Sequence, residues 1–79
     1  MIKRLTVEHD DFARYRNWMK AKGFISANYF SMNGYDTKKL KAQAMEGKIN
    51  AIKCQIGNSV KWYYAEHQAE MAYLRGEVR

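Results

Sequence analysis

The sequence predicts a small α+β domain, three to four helices with one two-stranded antiparallel hairpin. Three observations carry that expectation. Aromatic and apolar residues recur at helical spacing through residues 12–19, a lysine-rich segment is bracketed by capping residues at Asp36 and Gly47, and from Ile52 to Tyr64 the pattern switches to alternation around Gly57-Asn58-Ser59. A chain of 79 residues forms one domain, 1–79, with a thin core. Its 47% apolar content, with both Trp18 and Trp62, is that of a folded protein rather than a disordered tail.

The first helix is expected from about Glu8 to Lys22. Asp10 and Asp11 near its start complement the positive end of the helix dipole, and Phe12, Tyr15 and Met19 share a stripe with Trp18 beside it. Gly23 follows as a C′ residue. Residues 24–35, FISANYFSMNGY, admit two readings: a short helix capped by Ser26 and ending at Gly34, or an extended aromatic loop. The next helix runs from the N-cap Asp36 to the C′ residue Gly47. Thr37, Leu40 and Ala44 make its narrow inner face, and Lys38, Lys39, Lys41 and Gln43 point away.

Two registers are open to the hairpin. A two-residue Gly57-Asn58 turn sets Gln55 opposite Val60 and Cys54 opposite Lys61. A three-residue loop sets Ile56 opposite Val60 and Cys54 opposite Trp62, leaving Lys53, Gln55, Lys61 and Tyr63 on a single polar face. Because a one-residue slip moves every side chain to the other face, the register with one wholly apolar face is the expected one. The last helix spans about Ala65 to Arg75, with Ala65, Ala69, Ala72 and Tyr73 along one stripe and Met71 and Leu74 at its edge. Gly76 ends it, and the final three residues are expected to fray.

The formal net charge of +6 is unevenly placed. Between residues 38 and 61, Glu46 is the sole acid among Lys38, Lys39, Lys41, Lys48, Lys53 and Lys61, whereas both ends of the chain are slightly acidic. A basic middle between acidic ends implies one positive face directed at a polyanion. The single cysteine, Cys54, permits no intramolecular disulfide and points to a reducing compartment. No apolar run approaches the ~20 residues of a membrane span, and the first dozen residues hold no signal-like stretch, so no membrane partner and a cytoplasmic location are expected.

Catalytic signatures are weak. His9-Asp10-Asp11 reads as charged capping, Glu66, His67 and Glu70 are too few and too exposed for a metal site, and Cys54 falls on the apolar face of the hairpin as core filler. No enzymatic activity, metal or other cofactor is expected. Lysine is suited to phosphate contacts and glutamine to an adenine edge. Lys38, Lys39, Lys41, Lys53 and Lys61 are therefore the candidate phosphate ligands, and Gln43, with Asn33, the candidate base reader. Tyr63 is a candidate stacking residue, and Arg14 and Arg16 (with Lys20) would extend the track if the first helix borders the same face.

The run Glu46-Gly47-Lys48-Ile49-Asn50-Ala51, followed by IKCQIGNSVKWYY and then AEHQAEMAYL, resembles the winged-helix module of phage and transposon excisionases and MerR-like regulators. The resemblance covers Asp36 to Leu74. It implies a winged helix-turn-helix with a recognition helix at about 36–46 and a wing at about 51–64. The family's module opens with a short strand and a compact helix before the turn; this chain carries a longer first helix and the segment 24–35 in their place. The expected function is double-stranded DNA binding by a small recombination directionality factor or transcriptional regulator, aided by self-association or by contact with a recombinase or host protein. The alternative is a protein–protein adaptor of a phage or mobile element, using an exposed aromatic surface of FISANYF and Tyr63, with Tyr29 or Phe30 as the residues it depends on. A further alternative is single-strand binding with Tyr63 and Tyr35 as stacking platforms.

Overall fold

The computed structural model describes all residues 1–79. The order of elements is β1 (Ile2–Val7), a 3₁₀ turn (His9–Asp11), α1 (Phe12–Ala21), β2 (Phe24–Ser26), α2 (Ala27–Met32), α3 (Thr37–Met45), β3 (Ala51–Ile56), β4 (Ser59–Ala65) and α4 (Glu66–Leu74). The strands form one mixed sheet in the order β1-β3-β4-β2. β1 runs parallel to β3, while β3–β4 and β4–β2 are antiparallel. The fold is α+β as expected, but the hairpin is the middle of a four-stranded sheet rather than a separate two-stranded ribbon.

Two apolar clusters lie on opposite faces of this sheet. On one face Phe30, Leu40, Ala44, Ile49, Ala51, Tyr64, Ala69, Ala72 and Val78 join α2, α3 and α4 to the strands. On the other, Val7, Ile52, Cys54, Ile56 and Tyr63 pack with Met19 of α1. Leu40 and Met19 are wholly buried and anchor the two layers. Each such side chain contributes about 1.5–3 kcal/mol by leaving water.

The hairpin adopts the two-residue register. Ile56 pairs with Ser59, Gln55 with Val60, Cys54 with Lys61, Lys53 with Trp62 and Ile52 with Tyr63. The expectation of a three-residue loop assumed that only one face of the sheet is buried. At the end away from the turn both faces are buried, so Ala51 and Ile52, adjacent in sequence, each enter a different cluster. With the one-face constraint gone, turn chemistry decides. Gly57 has φ +58° and no other residue type in the chain adopts positive φ, so Gly57-Asn58 has the first-position glycine of a two-residue type II′ turn.

Caps and periodicity place the helices near their expected bounds. The Asp36 carboxylate accepts from the backbone N–H groups of Lys38 and Lys39 at 3.0 and 3.2 Å. The Ser26 hydroxyl accepts from Tyr29 N–H at 3.3 Å, so of the two readings of 24–35 the short capped helix is the one realised, preceded by strand β2. The aromatic excess of this segment is mostly structural. Phe30 meets Tyr35 and Tyr64 edge-on with centroids 4.9 and 6.1 Å apart, and Tyr35 packs on Tyr73 at 4.4 Å.

The C-terminus does not fray. Val78 is fully buried and its carbonyl accepts from Asp36 N–H at 2.7 Å, while the Arg79 guanidinium donates to the carbonyls of Tyr73 and Leu74. These bonds satisfy helix-end carbonyls of α4 that would otherwise face water.

Gly57→Ala forces a side chain into positive φ and lowers stability by about 1–2 kcal/mol, read as a fall in thermal midpoint. Burial pushes the Tyr64 phenol up to about 12, and also raises Tyr63 and Tyr35. The folded state therefore holds these protons more tightly than the unfolded chain. Their contribution is intact below pH 10, the ordinary tyrosine value, and is lost as pH rises toward 12. Denaturant midpoints measured across that window should decline, and Tyr64→Phe should reduce the decline.

Candidate nucleic-acid interface

The helix pair α2–α3, joined by the turn 33–36 at Gly34, sits beside the hairpin on one face of the sheet. Looking down α3, Leu40 and Ala44 face the core. At 100° per residue Lys38, Ala42 and Met45 form the outer ridge, with Lys41 on one flank and Lys39 and Gln43 on the other. The Lys41 flank borders the sheet. Its ammonium lies 5.2 Å from the centroid of the Trp62 ring, and the Lys53 ammonium from β3 approaches the same ring at 5.8 Å. A half-buried indole thus holds two cations within cation–π range, where each such contact is worth about 0.5–1 kcal/mol near a surface. Lys38, Lys41 and Lys53 form no ion pair; the salt bridges of the molecule are Arg14–Asp11, Lys48–Glu46 and Arg75–Glu77.

The other flank of α3 is engaged internally. Lys39 donates through its ammonium to the Arg79 carbonyl at 3.0 Å, and Gln43 donates through Nε2 to Glu77 Oε1 at 3.2 Å. Gln43, expected to read a base edge, is instead half-buried against the C-terminal tail, because the tail docks where solvent was expected. Its Oε1 is buried without a partner. Asn33 likewise donates to the Tyr29 carbonyl at 2.7 Å, closing the turn. Hydrogen bonds from Arg75 and Gln43 hold the Glu77 carboxyl below its ordinary range.

The remaining sequence-predicted residues are divided by the sheet. Because Lys53 pairs with Trp62 and Cys54 with Lys61, Lys53 and Lys61 project from opposite faces. Lys61 lies over the Phe12 ring at 5.0 Å, on the α1 side, where Arg16 approaches the same ring at 5.9 Å. Arg14 pairs with Asp11 at 3.4 Å on the outside of α1. The arginines of α1 therefore do not continue the α3 track. Tyr63, expected on a polar outer face, is buried in the α1-side cluster for the reason that set the register, and Tyr35 is packed between Phe30 and Tyr73. Neither offers a free ring for stacking. Phe30 is buried too, which leaves Tyr29 as the exposed aromatic of the adaptor alternative.

Two residues of this surface escaped the sequence reading. Trp62 was assigned to the apolar hairpin face. Arg4 preceded the first expected element; its signal was the alternation Ile2, Arg4, Thr6 against Lys3, Leu5, Val7. Cys54 is fully buried, and desolvation raises its thiol pKa, the opposite of what a nucleophile needs. No group of three or more His, Cys, Asp or Glu side chains is arranged to hold a metal ion, and no helix is long and apolar enough to cross a membrane.

Compared with known proteins, the chain matches no family model, no curated protein and no solved structure at a significant level.

The Gln43–Glu77–Arg75 cluster generates a prediction at acid pH. A carboxyl held below its ordinary value stabilises the folded state above that value and loses this contribution as pH falls through the depressed one. Glu77→Gln should flatten the acid limb of the stability profile below about pH 4.5, measured by thermal melts, because it lowers the melting temperature at neutral pH and leaves it nearly unchanged at acid pH.

Proposed function

We propose that the chain binds double-stranded DNA through α3 and the β3–β4 hairpin, in the manner of a winged helix-turn-helix, as a small recombination directionality factor or transcriptional regulator. The observation that carries this reading is the convergence of Lys41 and Lys53, both unpaired, on Trp62, beside the exposed Lys38 on the outer ridge of α3. Cations gathered without acids on the side of a helix-turn-helix form a surface for a polyanion.

The order of elements supports the same reading. Segment 24–35, which by sequence departed from the excisionase-like pattern, supplies a short strand and a compact helix, β2 and α2, before the turn into α3. The hairpin and a closing helix follow. β1 and α1 are additions to that plan.

In this mechanism α3 enters the major groove, whose width of about 12 Å admits a helix. Lys38 and Lys41 contact phosphates on the groove walls, and Lys53 reaches the adjoining backbone from the hairpin. With Gln43 engaged by Glu77, the ridge offers bases only Ala42 and Met45, suited to apolar contact with a thymine methyl. Such a surface positions more than it reads, which favours an architectural role. Lys39, bonded to the Arg79 carbonyl, lies at the margin of the footprint, and Lys61, on the α1 face, lies outside it; cooperative or self-associated binding would raise occupancy.

Fluorescence anisotropy with a labelled duplex at two salt concentrations tests the proposal. Binding in the micromolar range is expected, weakening steeply with salt. The double variant Lys38→Ala/Lys41→Ala should lower the salt slope by about two while remaining folded, its melting temperature falling only by the few degrees that loss of the Lys41–Trp62 contact accounts for. Lys20→Ala, on the α1 face, should change neither. A wild-type protein that fails to bind at ~50 mM salt, where phosphate contacts are strongest, would sink the reading.

A further inference from the structure

The sheet face that carries α2, α3 and α4 is only half covered. At one end Ile2, Ala51 and Tyr64 lie beneath the helices. Toward the hairpin turn the same face continues as Arg4 and Thr6 of β1, Lys53 and Gln55 of β3, and Val60 and Trp62 of β4. Register places them in two rows: Arg4 beside Lys53 beside Trp62, and Thr6 beside Gln55 beside Val60. Arg4, Thr6, Gln55 and Val60 are exposed, and no acidic side chain stands among the six. Arg4 forms no ion pair. Lys41 leans over the Trp62 end of the first row from α3. The row Lys41–Trp62–Lys53–Arg4 is thus an unbroken cationic band that crosses three strands.

We propose that this half-sheet is a phosphate-contacting surface continuous with α3, and that Arg4 of the N-terminal strand is its outermost DNA ligand. The inference rests on the DNA-binding reading and extends it to a strand outside the winged-helix plan. Three features point to a nucleic-acid backbone as occupant. The band is cationic and acid-free. Thr6 adds a hydroxyl donor of the kind that bonds phosphate oxygens, and Gln55, one of whose amide hydrogens goes to the Gly57 carbonyl at 3.3 Å, keeps a second. A guanidinium at its far end binds phosphate bidentately where lysine acts as a point charge. Adjacent strands are ~4.8 Å apart, so β1 carries the footprint about 10 Å beyond β4, onto phosphates that the hairpin alone does not reach.

The alternation of β1 provides an internal control. Lys3 is one residue from Arg4 and carries the same charge, but it projects from the opposite face, with its ammonium 5.4 Å from the Trp18 ring. Arg4→Ala, Arg4→Lys and Lys3→Ala would be titrated against the same labelled duplex over a range of salt, after melts confirm folding. Arg4→Ala is expected to weaken binding roughly five- to tenfold near 0.1 M salt and to lower the salt slope by about one. Arg4→Lys should restore the slope, and Lys3→Ala should leave both quantities at wild-type values. Equal losses for Arg4→Ala and Lys3→Ala would reduce the effect to net charge and overturn the inference, as would an unchanged Arg4→Ala. Wild-type protein that binds no duplex overturns the DNA-binding reading itself, a result separable from wild-type binding with Arg4 silent.

Discussion

Everything in this fold depends on the Ala51–Ile52 end of β3 being buried on both sides. A strand whose consecutive residues Ala51 and Ile52 are both inaccessible to water needs a layer against each face and a neighbour on each edge. α1 supplies one layer and α2, α3 and α4 the other; β4 and β1 supply the edges. The parallel β1–β3 ladder is what makes a ribbon into a sheet wide enough to separate two cores. It also assigns each basic residue to a side. Lys41, Lys53 and Arg4 belong to the helix-pair side, and Lys3, Arg16 and Lys61 to the α1 side.

That division explains why much of the fold was legible in the sequence and the site was legible only in part. Capped helices announce themselves locally: Asp36 bonds the N–H groups of Lys38 and Lys39, and its position before a lysine-rich amphipathic stretch sufficed to mark α3. Ser26 offered a similar cap for α2, but the aromatic run after it fitted an extended loop as well, and only the Ser26–Tyr29 bond decides between them. The hairpin was evident from alternation, yet its register was not. The deciding fact, a second apolar layer from Met19 and Phe12, comes from a distant part of the chain and leaves no trace in the alternation itself. Once the register moved by one, Tyr63 passed from the surface to the core, and Lys53 and Lys61 parted.

β1 was missed for a related reason. An edge strand of six residues with Lys3 and Arg4 in its middle lacks the apolar density that identifies a strand, since one of its faces is largely solvated at that point. The C-terminal tail was misjudged because polar ends ordinarily fray, whereas here Val78 finds an apolar site and Arg79 finds two helix-end carbonyls. Its docking recruits Gln43 and Lys39, so the seemingly uniform polar face of α3 divides into a bound flank and a free one. Lysines 38 and 41 were identifiable from sequence as exposed cations; that Lys41 shares an indole with Lys53 required the three-dimensional arrangement.

The pairing of both sheet edges also bears on how the fold assembles. Ile2 of β1 meets Ala51 of β3 across 49 residues of chain, and Phe24 of β2 meets Ala65 of β4 across 41. Closure cost grows only as the logarithm of loop length, so the two edges are laid down at nearly equal entropic cost. Neither can be nucleated by local contacts alone, and the two cores they enclose share β3 and β4. A sheet closed by two such long-range pairings forms more slowly than a helical bundle of the same length, and its two layers form together rather than one upon the other.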